Sequence, residues 1–339
     1  MHNNLFCKII SLENLFASWQ EFRKGKCKKS DVQIFERNLE DNLFSLHFEL
    51  KNRTYRHSNY TSFFITDPKV RNIHKACVKD RIVHHAIYRV LYPIFDKGFI
   101  YDSYSCWNKK GTHKAVDRLE SFTRKVSKNY IGECWALKCD IKKFFNSVDH
   151  HILFELIKKK VFEKDTLDLL WNIILSFGNP ERERVNRGIP IGNLTSQLFA
   201  NIYLDVLDKF IKHNLKISAK GGCASGAKYY LCYCDDFVVL GSDLEKLKSL
   251  IEVIEHFLNN KLKLKVHPNK IIIRKLKQGI DFLGYVVLPH YRLLRTKTKR
   301  RMFKRANRKN LSSYLGLLQH CNSYKLSRSL ASQIYKEYV

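Results

Sequence analysis

Two short apolar runs flank a pair of adjacent aspartates, and this feature constrains the fold more than any other in the chain. Residues 229–233 and 237–240 are rich in aromatic and β-branched side chains, and Asp235 and Asp236 lie between them. Such side chains favour strands, and aspartate is common in turns. The pattern predicts a β-hairpin whose turn carries two carboxylates. A plain solvated turn would have the same composition and is the alternative.

A third aspartate ends a strand-like run further upstream. Residues 135–140 are mostly apolar and finish at Asp140. If this run and the hairpin are neighbouring strands, Asp140 lies beside Asp235 and Asp236. Clustered carboxylates repel one another, so a bound cation makes such a cluster favourable. Oxygen ligands suit Mg²⁺, and two Mg²⁺ ions about 3.5–4 Å apart form a clamp for in-line phosphoryl transfer.

The charge of the chain indicates a polyanionic partner. Among its 339 residues, 61 Lys and Arg outnumber 32 Asp and Glu, which gives a formal net charge of +29. The sequence has no run of about 18 apolar residues and no apolar N-terminal stretch of signal-peptide length. We therefore expect a cytoplasmic protein that binds nucleic acid and does not bind a membrane.

The remaining pattern predicts an α+β fold. Residues 1–60 have a helical and basic pattern, with one amphipathic helix starting at Ser30. A flexible loop is expected over the glycine-rich residues 218–226, and Ser242 with Glu245 predicts a capping box for the following helix. Around the aspartates, the order strand, helix, hairpin, helix, strand matches the split β-α-β plan of a ferredoxin-like sheet.

Five sequence blocks, in a fixed order, resemble those of reverse transcriptases. They surround Arg81, Asp140, Ile191, Asp235 and Gly284. The resemblance covers about residue 61 to the C-terminus and implies an RNA-directed DNA polymerase shaped like a right hand. It implies an N-terminal helical region at 1–60, fingers and a ferredoxin-like palm at 61–288, and a short, basic, helical thumb at 289–339.

The same resemblance implies roles for individual residues, with two Mg²⁺ ions as cofactors. The implied metal-binding residues are Asp140, Ile141, Asp235 and Asp236. The implied nucleotide-binding residues are Lys75, Arg81, Phe145, Ile191 and Gly192. Phe145 would lie under the sugar and exclude a ribose 2′-hydroxyl; the alternative is a core Phe beside Phe144. Lys270 would protonate the leaving pyrophosphate; the alternative is an ordinary solvated lysine.

One block departs from most reverse transcriptases. Ile191 replaces a usual glutamine, and Gln197 replaces a usual proline. This pattern resembles the enzymes of diversity-generating retroelements, which copy a template-repeat RNA into cDNA with errors opposite adenine. An apolar Ile191 removes a hydrogen-bonding side chain, so we expect Ile191 and Gln197 to lower fidelity. The resemblance implies an RNA template, a nucleic-acid primer, dNTPs and a small, helical, oligomeric accessory protein as partners.

A basic run follows the last predicted strand. Ten Lys or Arg and no acidic residue occur between residues 290 and 310. A solvated, disordered tail has this composition, but an apolar helical pattern follows the run, which favours a helical thumb. We expect Arg300, Arg301, Lys304 and Arg305 to bind the phosphates of a duplex without sequence preference.

Two other functions remain open from the sequence. A group II intron-like or defence-associated reverse transcriptase would keep the same chemistry in a different biological role. A catalytically silent RNA-binding module with a palm fold is the other alternative. The presence of Asp140, Asp235 and Asp236 together argues against the silent module.

Overall fold

Each of the two parts of the chain is assembled from three separate segments. The computed structural model describes residues 4–67, 69–105, 110–177, 186–219 and 222–336. The first unit comprises Met1–Ile100, Lys142–Leu207 and Phe257–Lys265, and the second comprises Tyr101–Ile141, Asp208–His256 and Val266–Val339. The division predicted at residues 60 and 288 gives three consecutive segments, whereas each of these units combines segments that are separated in the sequence.

The helices and strands alternate along the chain without a repeating order. In chain order they are α1 (Leu5–Ile10), α2 (Leu12–Arg23), α3 (Ser30–Arg37), α4 (Leu39–Lys51), β1 (Thr61–Ile65), β2 (Arg71–Lys75), α5 (Val78–Asp96), α6 (Thr112–Val126), β3 (Trp135–Asp140), α7 (Phe144–Ser147), α8 (His150–Lys158), α9 (Lys164–Leu175), α10 (Leu194–Lys209), β4 (Lys216–Ala219), β5 (Gly222–Ser225), β6 (Tyr230–Tyr233), β7 (Asp236–Gly241), α11 (Leu244–Leu262), β8 (Ile272–Lys275), β9 (Ile280–Phe282), β10 (Tyr285–Leu288), β11 (Tyr291–Leu294), α12 (Thr296–Arg305), α13 (Leu311–Leu318) and α14 (Tyr324–Lys336).

The first unit is mainly helical. Helix α2 packs against α5, and its buried side chains Leu15, Trp19 and Phe22 recur at the spacing of one helical face. Strands β1 and β2 form an antiparallel hairpin. The single helix predicted from Ser30 is wrong in its extent: α3 ends before Asn38, whose backbone leaves the helical region (φ −121°, ψ 49°), and α4 then begins.

The second unit is built around a four-stranded antiparallel sheet in the order β6-β7-β3-β8. This order confirms the split β-α-β plan, because β3 lies between the later strands β7 and β8. A second sheet has the order β11-β10-β9. One hydrophobic cluster joins both sheets to α6 and to the C-terminal helices, through buried residues that include Leu119, Val238, Phe282, Met302 and Leu318.

Two local predictions in the second unit are wrong. The expected flexible loop at 218–226 contains most of a two-stranded antiparallel hairpin, β4 and β5. Ser242 does not cap α11; Asp243 does, because its Oδ1 accepts hydrogen bonds from the main-chain N–H groups of Glu245 and Lys246 at 3.0 and 3.2 Å. An aspartate is as good a cap as a serine, and it lies directly before the first helical residue.

The described helices include none that combines the length and the apolar composition needed to cross a membrane.

Candidate active site

The three aspartates lie in the second unit, at one edge of the four-stranded sheet. Asp140 is the last residue of β3 and pairs directly with Asp236, the first residue of β7. Directly opposed residues share a face of the sheet. Asp235 lies in the turn between β6 and β7, where Cys234 has a positive φ of 56°. The carbonyl oxygen of Asp235 accepts a hydrogen bond from the N–H of Ile141 at 3.1 Å, which ties this turn to the end of β3.

Two lysines hold these carboxylates. Lys270 Nζ lies 2.6 Å from Asp140 Oδ1, and the Lys270 side chain is 39% exposed. Lys138 Nζ lies 3.2 Å from Asp236 Oδ2 and also donates to the carbonyl oxygen of Asp281 at 3.0 Å. Lys138 is two residues from Asp140 on the same strand, and side chains at that spacing point to the same face.

The surroundings of Asp236 disfavour the charged form of its carboxyl group. Burial raises the pKa of the Asp236 carboxyl to about 6, and the negative charges of Asp140 and Asp235 add to the effect, while Lys138 offsets part of it. Its Oδ1 is buried and has no hydrogen-bond partner among the described residues. A buried, unsatisfied carboxylate oxygen is costly unless a ligand satisfies it.

The first unit contains the predicted nucleotide-binding residues, and Asp31 of α3 holds two of them. Asp31 Oδ2 lies 2.7 Å from Lys75 Nζ and 2.6 Å from Arg81 Nη2. Burial opposes the charge of Asp31, but the hydrogen bonds from Lys75 and Arg81 outweigh it and lower the pKa of this carboxyl. Arg81 is mostly buried, with its guanidinium 4.6 Å from the centre of the Phe22 ring. Lys75 is more exposed and therefore better placed to reach a ligand.

Ile191 and Gly192 run alongside β2. The N–H of His74 donates to the carbonyl oxygen of Ile191 at 3.0 Å, and the side-chain amide of Asn193 donates to the carbonyl oxygen of His74 at 3.1 Å. Gly192 has a φ of 117°, and a Cβ there would lie 2.9 Å from Ile73 Cγ2. Only glycine therefore permits this close approach of the loop to β2.

Phe145 and Gln197 differ in their surroundings. Phe144 is buried in the core, whereas Phe145 is half-buried, with the two ring centres 5.3 Å apart. The carbonyl oxygen of Phe145 accepts a hydrogen bond from the N–H of Ile189 at 2.7 Å. Gln197 is exposed on the first turn of α10. Phe145 is therefore less buried than Phe144.

The predicted phosphate-binding residues lie on α12 in the second unit. Arg300, Lys304 and Arg305 are exposed and Arg301 is half-buried, while Met302 of the same helix is fully buried. The helix thus has a buried apolar side and a cationic exposed side. This amphipathic arrangement confirms a helix where a disordered tail was the alternative.

Comparison with known proteins identifies the family. The family model described as reverse transcriptase (RNA-dependent DNA polymerase) matches residues 66–287, which is more than half of the chain. The chain belongs to the reverse transcriptase family. This membership supports an RNA-directed DNA polymerase.

Curated relatives of this reverse transcriptase include intron-encoded proteins. The group II intron-encoded protein LtrA of Lactococcus lactis subsp. cremoris is 23% identical over 81% of the chain and 54% of its own length. The putative COX1/OXI3 intron 2 protein of Saccharomyces cerevisiae is 24% identical over 62% of the chain and 29% of its own length. Protein YkfC of Escherichia coli is 24% identical over 68% of the chain and 65% of its own length. The chain thus spans between about a third and two thirds of these relatives.

Solved structures of telomerases share the fold. Telomerase from Candida albicans, in complex with a TWJ fragment of telomeric RNA, superposes with a TM-score of 0.53 at 11% identity, over 91% of this chain and 58% of that one. Apo telomerase from Candida tropicalis gives a TM-score of 0.51 at 15% identity, over 83% and 57%. At this identity the likeness shows a common reverse transcriptase fold with mixed helix and sheet.

Reverse transcriptases generally use divalent metal ions, and the donor chemistry of this site fits them. Three carboxylates supply the hard oxygen ligands that Mg²⁺ prefers, and the unsatisfied Oδ1 of Asp236 lacks a partner that a cation would supply. Within the described ranges, however, no group of three or more His, Cys, Asp or Glu side chains is arranged to hold a metal ion. The side chain of Ile141 is a hydrocarbon, so only its main-chain carbonyl oxygen could act as a ligand.

Sequence reasoning missed several residues of the site. Lys138 had a usable signal, because a lysine two residues before a strand-end aspartate must share its face. Asp31 had no such signal, since it lies 50 residues before Arg81 on a different helix. His74, whose main chain holds both Ile191 and Asn193, has an ordinary strand position in the sequence.

Proposed function

We propose that this chain copies an RNA template into cDNA. The observation that carries the proposal is the direct pairing of Asp140 with Asp236, with Asp235 in the adjoining turn, in a member of the reverse transcriptase family. Three carboxylates within a few residues of one sheet edge suit the binding of cations and the transfer of a phosphoryl group. The strongly positive charge of the chain, +29, suits RNA, a primer and dNTPs as partners.

Asp140, Asp235 and Asp236 would hold Mg²⁺, with the Ile141 carbonyl oxygen as a further ligand. Bound there, Mg²⁺ would stabilise negative charge on the triphosphate and on the primer 3′-oxygen. Lys270, which is paired with Asp140, would supply a proton to the leaving pyrophosphate. Lys138 would orient Asp236 through its ion pair and keep this carboxylate charged despite its burial.

Lys75, Arg81, Phe145, Ile191 and Gly192 would bind the incoming nucleotide. The Lys75 side chain, which is 41% exposed, suits a phosphate contact, and Arg81 would act mainly by fixing Asp31 and, through it, Lys75. The Phe145 ring would exclude a ribose 2′-hydroxyl. Arg300, Arg301, Lys304 and Arg305 would hold the duplex through its phosphates.

We further propose that the biological role is targeted gene diversification. The support is the apolar Ile191, held beside β2 by the His74 N–H, together with the exposed Gln197. An enzyme of this kind copies a template-repeat RNA with errors opposite adenine and works with a small, helical, oligomeric accessory protein. The adenine preference rests on the family resemblance.

Sequencing of cDNA copied from a defined RNA tests the proposal. We expect primer extension that requires RNA and dNTPs, with errors concentrated at template adenines. Equal error at all four template bases would overturn diversification and leave the polymerase activity standing. An absence of extension with Mg²⁺ or Mn²⁺, in the presence of candidate accessory proteins, would count against the polymerase itself.

A group II intron-type role is the second candidate, favoured by the alignment with LtrA over 81% of the chain. In that case the enzyme would copy its RNA with a uniform, low error rate. The same sequencing experiment therefore distinguishes the two roles.

A further inference from the structure

A chain of hydrogen bonds buried in the first unit ends at Thr195, in the first turn of α10. Thr195 Oγ1 lies 2.6 Å from Nδ1 of His84 on α5, and His84 Nε2 lies 3.1 Å from His57 Nε2. His57 Nδ1 lies 2.7 Å from the carbonyl oxygen of Ser58. The side chain of His57 has no exposed surface, and His84 and Thr195 are each 1% exposed. Bulk solvent therefore does not compete for these groups.

The Ser58 end of the chain fixes the direction of each hydrogen bond in it. A carbonyl oxygen only accepts, so His57 Nδ1 carries the hydrogen that the Ser58 oxygen receives. Burial lowers the pKa of both histidines, to about 3 for His84, so both rings are neutral at physiological pH. The bare Nε2 of His57 then accepts from His84 Nε2, and the bare Nδ1 of His84 accepts from the hydroxyl of Thr195. Thr195 is therefore a donor held in one orientation.

Asp80 of α5 holds the His57 end in place. Its buried carboxylate accepts hydrogen bonds from the hydroxyl of Tyr55 at 2.8 Å and from the N–H of Ser58 at 3.0 Å. It also lies 3.7 Å from His57 Nδ1. The main chain that accepts from His57 is thus itself tied to Asp80. A buried network whose ends are both paired in this way is rigid.

The loop before Thr195 is attached at both of its ends. Near its start, the carbonyl oxygen of Ile191 accepts from the N–H of His74 at 3.0 Å, and the side-chain amide of Asn193 donates to the carbonyl oxygen of His74 at 3.1 Å. These two bonds hold the loop to β2. At its end, Thr195 holds the first turn of α10 to α5, because a shift of this turn would leave the buried Nδ1 of His84 without a partner, which is costly.

We propose that His57, His84 and Thr195 act together as positioning residues of the polymerase, and that the Thr195 hydroxyl sets the place of Ile191 against the incoming nucleotide. The inference rests on the proposed nucleotide-binding role of Ile191. A packing residue would affect stability alone, whereas a positioning residue also changes the KM for dNTPs.

Two substitutions at Thr195, made in the full chain, test the role of its hydroxyl. Thr195→Val keeps the shape of the side chain and removes the hydroxyl, so the KM for dNTPs in primer extension should rise by about three- to ten-fold, the range expected for one lost hydrogen bond, while kcat stays within about two-fold. Thr195→Ser keeps the hydroxyl and should keep the KM within about two-fold of wild type.

Thr166→Val is the matched control. Thr166 is a fully buried threonine in the first turn of α9 in the same unit, and its Oγ1 donates to Glu163 Oε2 at 2.7 Å. The same substitution there removes a comparable hydrogen bond, so it should lower the stability of the chain to a similar extent and leave the KM for dNTPs unchanged.

Hydrogen exchange follows the loop without catalysis. The main-chain N–H of His74, which donates to Ile191, should exchange about ten-fold faster in Thr195→Val than in Thr195→Ser or Thr166→Val. His57→Phe removes the acceptor of His84 and should raise the KM for dNTPs by about two-fold. Combined with Thr195→Val it should add nothing further, because residues that act as one unit are not additive.

An unchanged KM in Thr195→Val, in an enzyme that extends primers, would overturn the inference and leave the proposed function standing, whatever the exchange rate of His74. A raised KM in Thr195→Ser or Thr166→Val, or additive effects of His57→Phe and Thr195→Val, would overturn it as well. If the wild type does not extend primers, the proposed function fails. Faster His74 exchange in Thr195→Val alone would then still support the positioning of the loop, and unchanged exchange would remove it.

Discussion

The two units of this chain hold their functional candidates in different ways. In the second unit, Asp140 and Asp236 face each other because β3 and β7 are paired, and both strands coincide with strand-like runs in the sequence. In the first unit, Lys75 and Arg81 share Asp31, which comes from a helix far earlier in the chain. The difference shows that the positions of the aspartates at strand ends can be inferred from local pattern, whereas an ion-pair partner from a distant helix cannot.

The buried titratable groups of the two units also differ. In the first unit, both ring nitrogens of His84 are hydrogen-bonded. Nδ1 lies 2.6 Å from Thr195 Oγ1, and Nε2 lies 3.1 Å from His57 Nε2. Burial lowers the pKa of His84 to about 3, and the neighbouring His57 adds to the effect. In the second unit, burial raises the pKa of Asp236 to about 6. Acid therefore charges a buried group in the first unit and neutralises one in the second.

The largest expected effect tests the carboxylates of the second unit. Asp235→Asn should reduce primer extension by roughly a thousand-fold or more, because it removes a negative charge from the proposed cation-binding site, where charge develops during phosphoryl transfer. RNA affinity should change by less than about two-fold, since phosphate contacts dominate binding. Extension assays and fluorescence anisotropy measure the two effects, with the exposed Asp168→Asn as control. An active Asp235→Asn enzyme would contradict the assignment.

A second effect tests whether the cations of α12 dominate nucleic-acid binding. Replacing Arg300, Arg301, Lys304 and Arg305 by Gln should weaken binding by about a hundred-fold near physiological salt and flatten the salt dependence. The matched control replaces four exposed lysines of the first unit, Lys24, Lys28, Lys29 and Lys51, by Gln and changes the net charge equally. Equal effects of the two quadruple variants would mean that total charge matters and α12 does not.

The third prediction concerns pH. Because the pKa of His84 is lower in the folded protein than in the unfolded chain, the unfolded state binds more protons as the pH falls below about 6.5. The stability that neutral His84 provides is present above this pH, and about 2 kcal/mol of it is lost between pH 7 and pH 5. As the pH is lowered, hydrogen exchange should show that α5 loses protection at a higher pH than β7 does.

His84→Gln should flatten the pH dependence of unfolding measured with denaturant. His213→Gln, at an exposed position of the second unit, is the control and should leave the slope unchanged. If acid opens β7 as early as α5 in the wild type, the two units do not differ in the way described.

A smaller effect tests Phe145 against its alternative as a packing residue. Phe145→Ala should raise ribonucleotide incorporation by roughly ten-fold, since a lost steric contact of this size typically changes selectivity by that amount. Single-nucleotide extension with matched dNTP and rNTP measures the ratio. Phe162→Ala, at a Phe that is 71% exposed in the same unit, is the control. An unchanged ratio would make Phe145 a packing residue only.

The smallest effect is expected at Ile191. A glutamine there restores a hydrogen-bonding side chain worth roughly 0.5–1.5 kcal/mol, so Ile191→Gln should lower error rates by about two- to ten-fold. Sequenced cDNA from wild type, Ile191→Gln and the surface control Ile34→Gln measures this. Unaltered errors in Ile191→Gln would move the cause of low fidelity to another residue.

Local pattern was enough for the strands that carry the aspartates. Runs of β-branched and aromatic residues predicted β3, β6 and β7, and the turn at Asp235 follows from residues next to one another in the chain. Where neighbours compete, local pattern failed: Asn38 interrupts a continuous apolar periodicity, Asp243 displaces Ser242 as a cap, and the glycine-rich tract at 218–226 mostly pairs as strands.

The sequence by itself therefore determined the family and the strands at whose ends Asp140, Asp235 and Asp236 lie. Only the tertiary structure decided which groups these residues contact: Lys270 on Asp140, Lys138 on Asp236, and Asp31 on both Lys75 and Arg81. The physical reason is range. Strand propensity acts over a few neighbouring residues, whereas the partner of a charge depends on packing between segments far apart in the chain.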